Sequence, residues 1–190
     1  MTIWTQLATI TYFETKRLIV RPFSYADGDD FYKIVSSPAN LPFLFPSQVD
    51  RALALDMMVE KFMRSPLGKW ALVDKGTKKM IGALCFEALD EHKKTAEISY
   101  FLNRDYWRQG LMTEVVQQLV FLAFDKLALR ELMIVTHLEN VASQSVARKA
   151  GFKQVEQYRG SDRYSHKMRN YLKFSLKKVD VRSKMDKEKE

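Results

Sequence analysis

The tract that most constrains the fold runs from Tyr106 to Phe124. Tyr106-Trp107-Arg108-Gln109-Gly110-Leu111-Met112-Thr113-Glu114 leads without a break into the apolar-rich Val115-Val116-Gln117-Gln118-Leu119-Val120-Phe121-Leu122-Ala123-Phe124. Ile98 to Leu102 ahead of it reads as a strand end, the basic residues as a short loop, and the apolar tract as a helix. Gly110 has no side chain, so a ligand can approach the backbone N–H groups of the loop and of the first helical turn. Those unpaired donors, with the positive end of the helix dipole behind them, make an anion site, and Arg108 adds a charge beside it. Without a ligand, the same residues are a strand-to-helix turn containing one glycine.

The rest of the chain can be read around this tract. Lys16 to Arg21 alternates basic and apolar residues around Leu18 and Val20, a strand pattern ending at Pro22. Ser24 or Asp27 can cap a helix through Asp30, Phe31, Ile34 and Val35, and Ala52 to Met63 reads as a second amphipathic helix. Between them the loop Pro38 to Pro46 is apolar for a loop, with Leu41, Phe43, Leu44 and Phe45, so it either packs under the domain or lines a ligand pocket. Trp70 to Val73, Met80 to Leu89 and Thr95 to Leu102 read as strands joined by short turns, which connect antiparallel neighbours.

The helix Met112 to Leu127 follows, with Val115, Leu119, Leu122, Ala123 and Lys126 along one side, then a strand Leu132 to Thr136 and a helix from Ala142 to Ala150 ended by Gly151. Strand, helix, strand across this region implies a right-handed crossover and one parallel pair in an otherwise antiparallel sheet. Phe152 to Tyr158 and Met168 to Leu176 supply a last hairpin. The expected fold class is α+β: a mixed, mostly antiparallel, twisted sheet with flanking helices. One domain covers residues 1–178, and residues 179–190 form a charged flexible tail.

A single cysteine, Cys85, excludes an internal disulfide and lies in the apolar run Ile81 to Phe86, where it reads as a buried strand residue rather than a nucleophile. No apolar run approaches the ~18 residues of a membrane helix, and no secretory leader is evident, so cytoplasm is the expectation. His92, His137 and His166 are scattered without metal-site spacing, and no metal is expected; His137 alone follows the strand next to the proposed site. A net charge of +8 suits either nucleic acid or a polyanionic ligand.

Three segments together resemble the GNAT acetyltransferase superfamily, in its RimJ/RimL-like branch. They are Glu14-Thr15-Lys16-Arg17-Leu18-Ile19-Val20-Arg21-Pro22-Phe23, the Tyr106 to Glu114 loop, and Asn140-x-x-Ser143-x-x-Val146-x-x-Lys149-x-Gly151-Phe152, in that family's order and rough spacing. Trp107-x-x-Gly110-x-Met112 departs from the general superfamily loop at both flanking positions but is similar to the variant of that branch. The resemblance implies the GNAT fold, with the parallel strands splayed to admit the pantetheine arm, and acetyl-CoA as cosubstrate. It gives the diphosphate to Arg108, Gln109, Gly110, Leu111, Met112 and Thr113, the acetyl and pantetheine end to the backbone of Phe101 and Leu102, and a pantetheine contact to Asn140, which would equally serve as a helix N-cap.

Acetyl transfer from a thioester to an amine requires a neutral amine and a thiolate that can leave. Glu97 matches a carboxylate common at this family position and is the first candidate base, with Glu87 behind it; on an alternating strand, Glu97 reads equally well as a solvent-facing residue. Ala147 stands where many relatives place a tyrosine acid, and Ser143 occupies the position of a serine assigned that role in the ribosomal-protein branch, although it also suits an ordinary first helical turn. An α-amine of pKa ~7.8 is roughly a tenth neutral at pH 7, whereas a lysine of pKa ~10.4 is neutral about once in two thousand molecules, a difference of ~3.5 kcal/mol.

The implied function is transfer of acetyl from acetyl-CoA to a primary amine, on a protein N-terminus or a small molecule. A strongly basic enzyme would repel a free basic ribosomal tail unless its groove were locally acidic, so ribosome association, like a homodimer, stays open. Two other classes compete: a non-catalytic acyl-CoA-binding module, and a ribosome- or RNA-associated protein using Arg159, Arg163, Lys167 and Arg169 interleaved with Tyr158 and Tyr164. No membrane partner is expected.

Overall fold

A computed structural model of the chain describes residues 1–37, 49–162 and 166–181. The apolar loop Pro38 to Pro46, Arg163 and Tyr164 of the basic hairpin, and residues 182–190 of the expected tail 179–190 lie outside the described residues, while 178–181 form a helical turn. The elements are α1 (Ile3–Ala8), β1 (Phe13–Glu14), β2 (Leu18–Arg21), α2 (Gly28–Val35), α3 (Arg51–Met58), β3 (Lys69–Asp74), β4 (Met80–Asp90), β5 (Thr95–Leu102), α4 (Leu111–Asp125), β6 (Glu131–His137), α5 (Val141–Lys149), β7 (Lys153–Ser161) and β8 (Met168–Lys177). Hydrogen bonds order the strands β1-β2-β3-β4-β5-β6-β8-β7. The chain divides into two compact units, one of Met1–Cys85 with Tyr100–Val115, the other of Phe86–Ser99 with the residues from Val116 onward.

In the first unit, β1/β2, β2/β3 and β3/β4 pair antiparallel. Pro22 ends β2, and Ser24 and Asp27 form a reciprocal capping box around a 3-10 turn, Tyr25–Asp27, that opens α2. The buried Asp27 carboxylate also takes two bonds from the Arg21 guanidinium, at 2.7 and 2.8 Å, so β2 and the helix start are held by one side chain. Asp50 caps α3, whose last turn widens into a π-turn at Val59–Met63. Phe23, Phe31, Phe62 and Phe101 pack together in the core, Phe23 stacked on Phe62 and Phe101 edge-on to Phe31 and Phe62 at 6.2 Å. Cys85 is buried in that cluster, as its apolar run implied.

In the second unit, β5 and β6 are parallel, with Thr95, Ala96 and Glu97 opposite Glu131, Leu132 and Met133. β8 lies antiparallel between β6 and β7, so the final hairpin joins the sheet through its second strand. Asn140 caps α5 through Ser143 N–H, and Gly151 ends it at φ +95°. Gly151 N–H bonds Arg148 O and Phe152 N–H bonds Ala147 O, the paired bonds of a Schellman ending that the left-handed glycine permits. Leu119, Leu122 and Ala123 of α4 are buried, but so are Val116, Val120 and Phe124, so the helix is covered on more than one side. Lys126 follows α4 and is more than half exposed beside Asp125, contrary to the periodicity that puts it on the apolar side.

Lys178, the last residue expected in the domain, is tied down: its N–H bonds Arg130 O at 2.9 Å and its ammonium bonds Phe124 O. Among the described residues, no helix is long and apolar enough to cross a membrane.

Candidate functional site

In the first unit, β5 ends at Leu102 and a 3-10 turn, Arg104–Tyr106, leads to the loop. Asn103 Oδ1 accepts Asp105 N–H at 3.1 Å, and Trp107 N–H bonds Arg104 O at 3.0 Å, which fixes the chain's exit from the strand. Arg108 and Gly110 both have positive φ, +60° and +77°. Arg108, Gln109 and Gly110 are exposed, while Leu111 and Met112 bury their side chains at once. What Leu111 and Met112 can offer a ligand is therefore backbone N–H, at the first turn of a 15-residue helix. Thr113 is half-buried one position on.

The partner that holds this loop is absent from the sequence-based expectation. Arg17, just ahead of β2, donates from its backbone N–H to Glu114 Oε1 at 2.9 Å and from Nε to Glu114 Oε2 at 2.8 Å. Its Nη1 donates to Gln109 O at 2.8 Å. Burial raises the Glu114 carboxyl, but bonds from the Thr15 hydroxyl and from the Arg17 N–H and guanidinium outweigh it and hold the group below the usual range. The two residues are 97 apart in sequence, and the only local hint is that both fall inside motifs of the resemblance.

Phe101 and Leu102 are buried. The Leu102 carbonyl accepts the Trp107 indole N–H at 2.7 Å, so one backbone group read as ligand-binding already has a partner in the chain. Gly82 of β4 faces this backbone: a Cβ there would lie 2.3 Å from Phe101 O and 3.1 Å from Leu102 Cα. The glycine is what lets β4 come this close, and Asn103 N–H bonds Ile81 O at 2.7 Å beside it.

The remaining candidates are in the second unit. Glu97 is half-buried on β5 opposite Met133. The Tyr158 hydroxyl titrates above its usual range, first because of burial and then because of the Glu97 charge. Glu87 is exposed and accepts the Ser99 hydroxyl at 2.6 Å. Asn140 and Ser143 lie in one helix cap, with the Ser143 side chain half-buried. His137, at the end of β6, is buried, with its ring 4.6 Å from Tyr171 and Nε2 3.5 Å from Asp162 Oδ2. Burial lowers its pKa, against the pull of Asp162 and Glu139. Arg159, Lys167 and Arg169 are exposed on the β7–β8 hairpin. Among the described residues, no group of three His, Cys, Asp or Glu side chains could hold a metal ion.

A family model described as an acetyltransferase (GNAT) domain matches residues 17–153. The chain belongs to the GNAT acetyltransferase family. It is an acetyl-CoA-dependent acyltransferase of N-acetyltransferase type. This acetyltransferase is similar to the uncharacterized N-acetyltransferase YoaA of Bacillus subtilis (strain 168), 26% identical over 145 residues that cover 74% of this chain and 82% of the relative. A 73-residue stretch, 38% of this chain and 41% of the relative, is 32% identical to the ribosomal-protein-serine acetyltransferase of Escherichia coli (strain K12). In fold it is similar to RimL, a ribosomal L7/L12 alpha-N-protein acetyltransferase solved in complex with coenzyme A, with a TM-score of 0.75 at 17% identity over 87% of this chain and 97% of that one. The mixed sheet with its one parallel pair and flanking helices is thus the GNAT fold.

Proposed function

We propose that this acetyltransferase acts on an α-amine, of a protein N-terminus or of a small molecule, with the donor's diphosphate on the backbone of Arg108 to Thr113. The observation that supports this most is the exposed left-handed loop at Arg108 and Gly110, followed by buried Leu111 and Met112, which presents N–H groups at the start of α4. The names of the ribosomal-protein relatives favour a protein N-terminus as acceptor. On this reading the domain runs to residue 178, which is anchored to Arg130 and Phe124, and residues 179–190 are a tail that begins within a helical turn at 178–181.

In the proposed chemistry, the amine nitrogen attacks the thioester carbonyl, the C–S bond breaks, and the amine proton passes to Glu97 directly or through water. The sulfur leaves as the thiolate, at modest cost for a thiol of pKa ~8.5, or takes the Ser143 hydroxyl proton as that hydroxyl regains one from water. Phe101 and Leu102 backbone groups would meet the acyl end and Asn140 the pantetheine, in addition to its cap. An α-amine needs little base help, which suits a half-exposed glutamate.

The test is acceptor-dependent release of CoA thiol from acetyl-CoA across pH 6 to 9, offering a peptide α-amine, an Nα-blocked lysine and a small aliphatic amine. The expected result is fastest release with an α-amine, and a Glu97→Gln variant that loses turnover most where the amine is mostly protonated. No amine raising release above hydrolysis would refute the proposal.

A further inference from the structure

Glu114 poses an electrostatic problem for any anion held at the start of α4. It lies in the first turn of that helix, where a bare carboxylate would repel the diphosphate that the loop is read as binding. Arg17 answers it with one residue. Its backbone N–H and Nε occupy the two Glu114 oxygens, its Nη1 holds the Gln109 carbonyl, and its Nη2 lies 3.6 Å from where a Gly110 Cβ would be. The guanidinium thus neutralises the carboxylate, turns a loop carbonyl toward itself, and flanks the bare backbone of Gly110.

Arg17 is itself held in place. The Thr15 hydroxyl accepts Leu18 N–H at 3.0 Å, Lys75 N–H bonds Arg17 O at 3.0 Å, and the Lys75 ammonium bonds Thr15 O at 2.7 Å. The turn ahead of β2 is therefore fastened both to the β3–β4 turn and to α4. The side chain stays 42% exposed, so its outer edge can meet a ligand. Lysine could replace the charge but not the planar fork, which reaches Glu114 and Gln109 at once.

We propose that Arg17 is a positioning residue of the diphosphate site: braced by Glu114, it fixes the Gln109–Gly110 backbone in its binding conformation and cancels the carboxylate that would otherwise oppose the anion. This rests on the reading of the loop as a diphosphate site. A variant lacking Arg17 suffers twice, from a looser loop and from an exposed carboxylate, and removing that carboxylate as well returns part of the loss.

The experiment compares affinity for acetyl-CoA and for acetyl-pantetheine, which lacks the diphosphate, in the wild type, Arg17→Gln, Arg17→Lys, Glu114→Gln and the Arg17→Gln/Glu114→Gln double variant, with unfolding midpoints recorded in parallel. The wild type binds acetyl-CoA far more tightly than acetyl-pantetheine. Arg17→Gln weakens acetyl-CoA about tenfold or more, the scale of a lost charge-assisted bond, and leaves acetyl-pantetheine within about twofold. In kinetics its KM for acetyl-CoA rises while kcat and the acceptor KM hold. Arg17→Lys falls between, and the double variant binds acetyl-CoA better than Arg17→Gln alone.

If Arg17→Gln weakens both donors equally, or the double variant recovers nothing, the role is structural and the proposal fails, while the site reading stands. Should Arg17→Gln not fold, Arg17→Lys and Glu114→Gln decide by the same donor comparison. A wild type that does not distinguish the two donors overturns the site reading and the proposal together.

Discussion

Gly82→Ala perturbs the backbone of Phe101 and Leu102 without touching a polar group. The added methyl would sit 2.3 Å from Phe101 O and 3.1 Å from both Leu102 Cα and Leu102 Cδ1. Ordinary van der Waals separation is about 3.5 Å, so the β4 and β5 backbones must part by ~1 Å. Neither side gives easily. Phe101 is wedged between Phe31 and Phe62, and Asn103 N–H is bonded to Ile81 O next to the glycine. Overpacking of this kind costs ~1–3 kcal/mol, which for a domain of this size lowers the unfolding midpoint by roughly 2–12 °C.

The functional loss should be larger than that, because a displacement of ~1 Å at a group that positions substrate can cost ~100-fold. The assay is kcat/KM for acetyl transfer beside the midpoint, with Gly76→Ala as control, since a Cβ there meets only Asp74 Oδ2 at 3.4 Å. A ten- to hundredfold loss of kcat/KM (~10²) with a folded protein is expected. A Gly82→Ala variant with the lowered midpoint and wild-type kcat/KM would refute the assignment of the Phe101–Leu102 backbone to the acyl end.

Two further outcomes follow from the polar network and its titration. Asp27→Ala removes the carboxylate that takes both Arg21 donors and the Ser24 N–H, leaving a part-buried cation behind, and should cost about 3 to 5 kcal/mol, read as a lowered urea midpoint at unchanged slope. His137 titrates below its ordinary 6.5 because burial favours the neutral ring. The folded state therefore binds fewer protons than the unfolded one, so this contribution is intact above about pH 6.5 and is lost as pH falls from there through the folded-state value. His137→Gln should flatten stability against pH in that window, and an unchanged slope would place the titration elsewhere.

What can be read from the chain is mostly local. Ser24 with Asp27, Asn140 ahead of α5 and Gly151 after it announce helix ends by side-chain chemistry within a few residues, and the structure places caps at all three. The parallel pair follows from the strand–helix–strand order. The short helix α1 escapes a sequence reading because six residues show no periodicity, and its cap, Thr2 to Thr5 N–H, is a weak cue. Periodicity misplaces Lys126 because a buried helix covered on more than one side carries no single apolar stripe.

Arg17 and Glu114 each sit in a recognisable motif, yet nothing local joins residues 97 apart. Gly82 offers a cue, since glycine inside a strand often marks close backbone approach. The Trp107 bond to the Leu102 carbonyl depends on the tight turn at Arg104–Tyr106, which composition does not reveal.

The central claim is that the Gly110 loop holds the acyl donor, and the unfolding midpoint with and without acetyl-CoA, in the wild type and in Gly110→Glu, tests it most directly. The new Cβ would be 3.6 Å from Arg17 Nη2, at a φ of +77° that strains any residue but glycine, so each protein's shift is read against its own ligand-free midpoint; the carboxylate would stand where the diphosphate is read to bind. At a hundred times the dissociation constant, binding adds ~2.7 kcal/mol, a rise of roughly 5 to 10 °C. That rise is expected for the wild type and none for Gly110→Glu. An unmoved wild-type midpoint at millimolar acetyl-CoA, or a variant that shifts as much as the wild type, would contradict the claim.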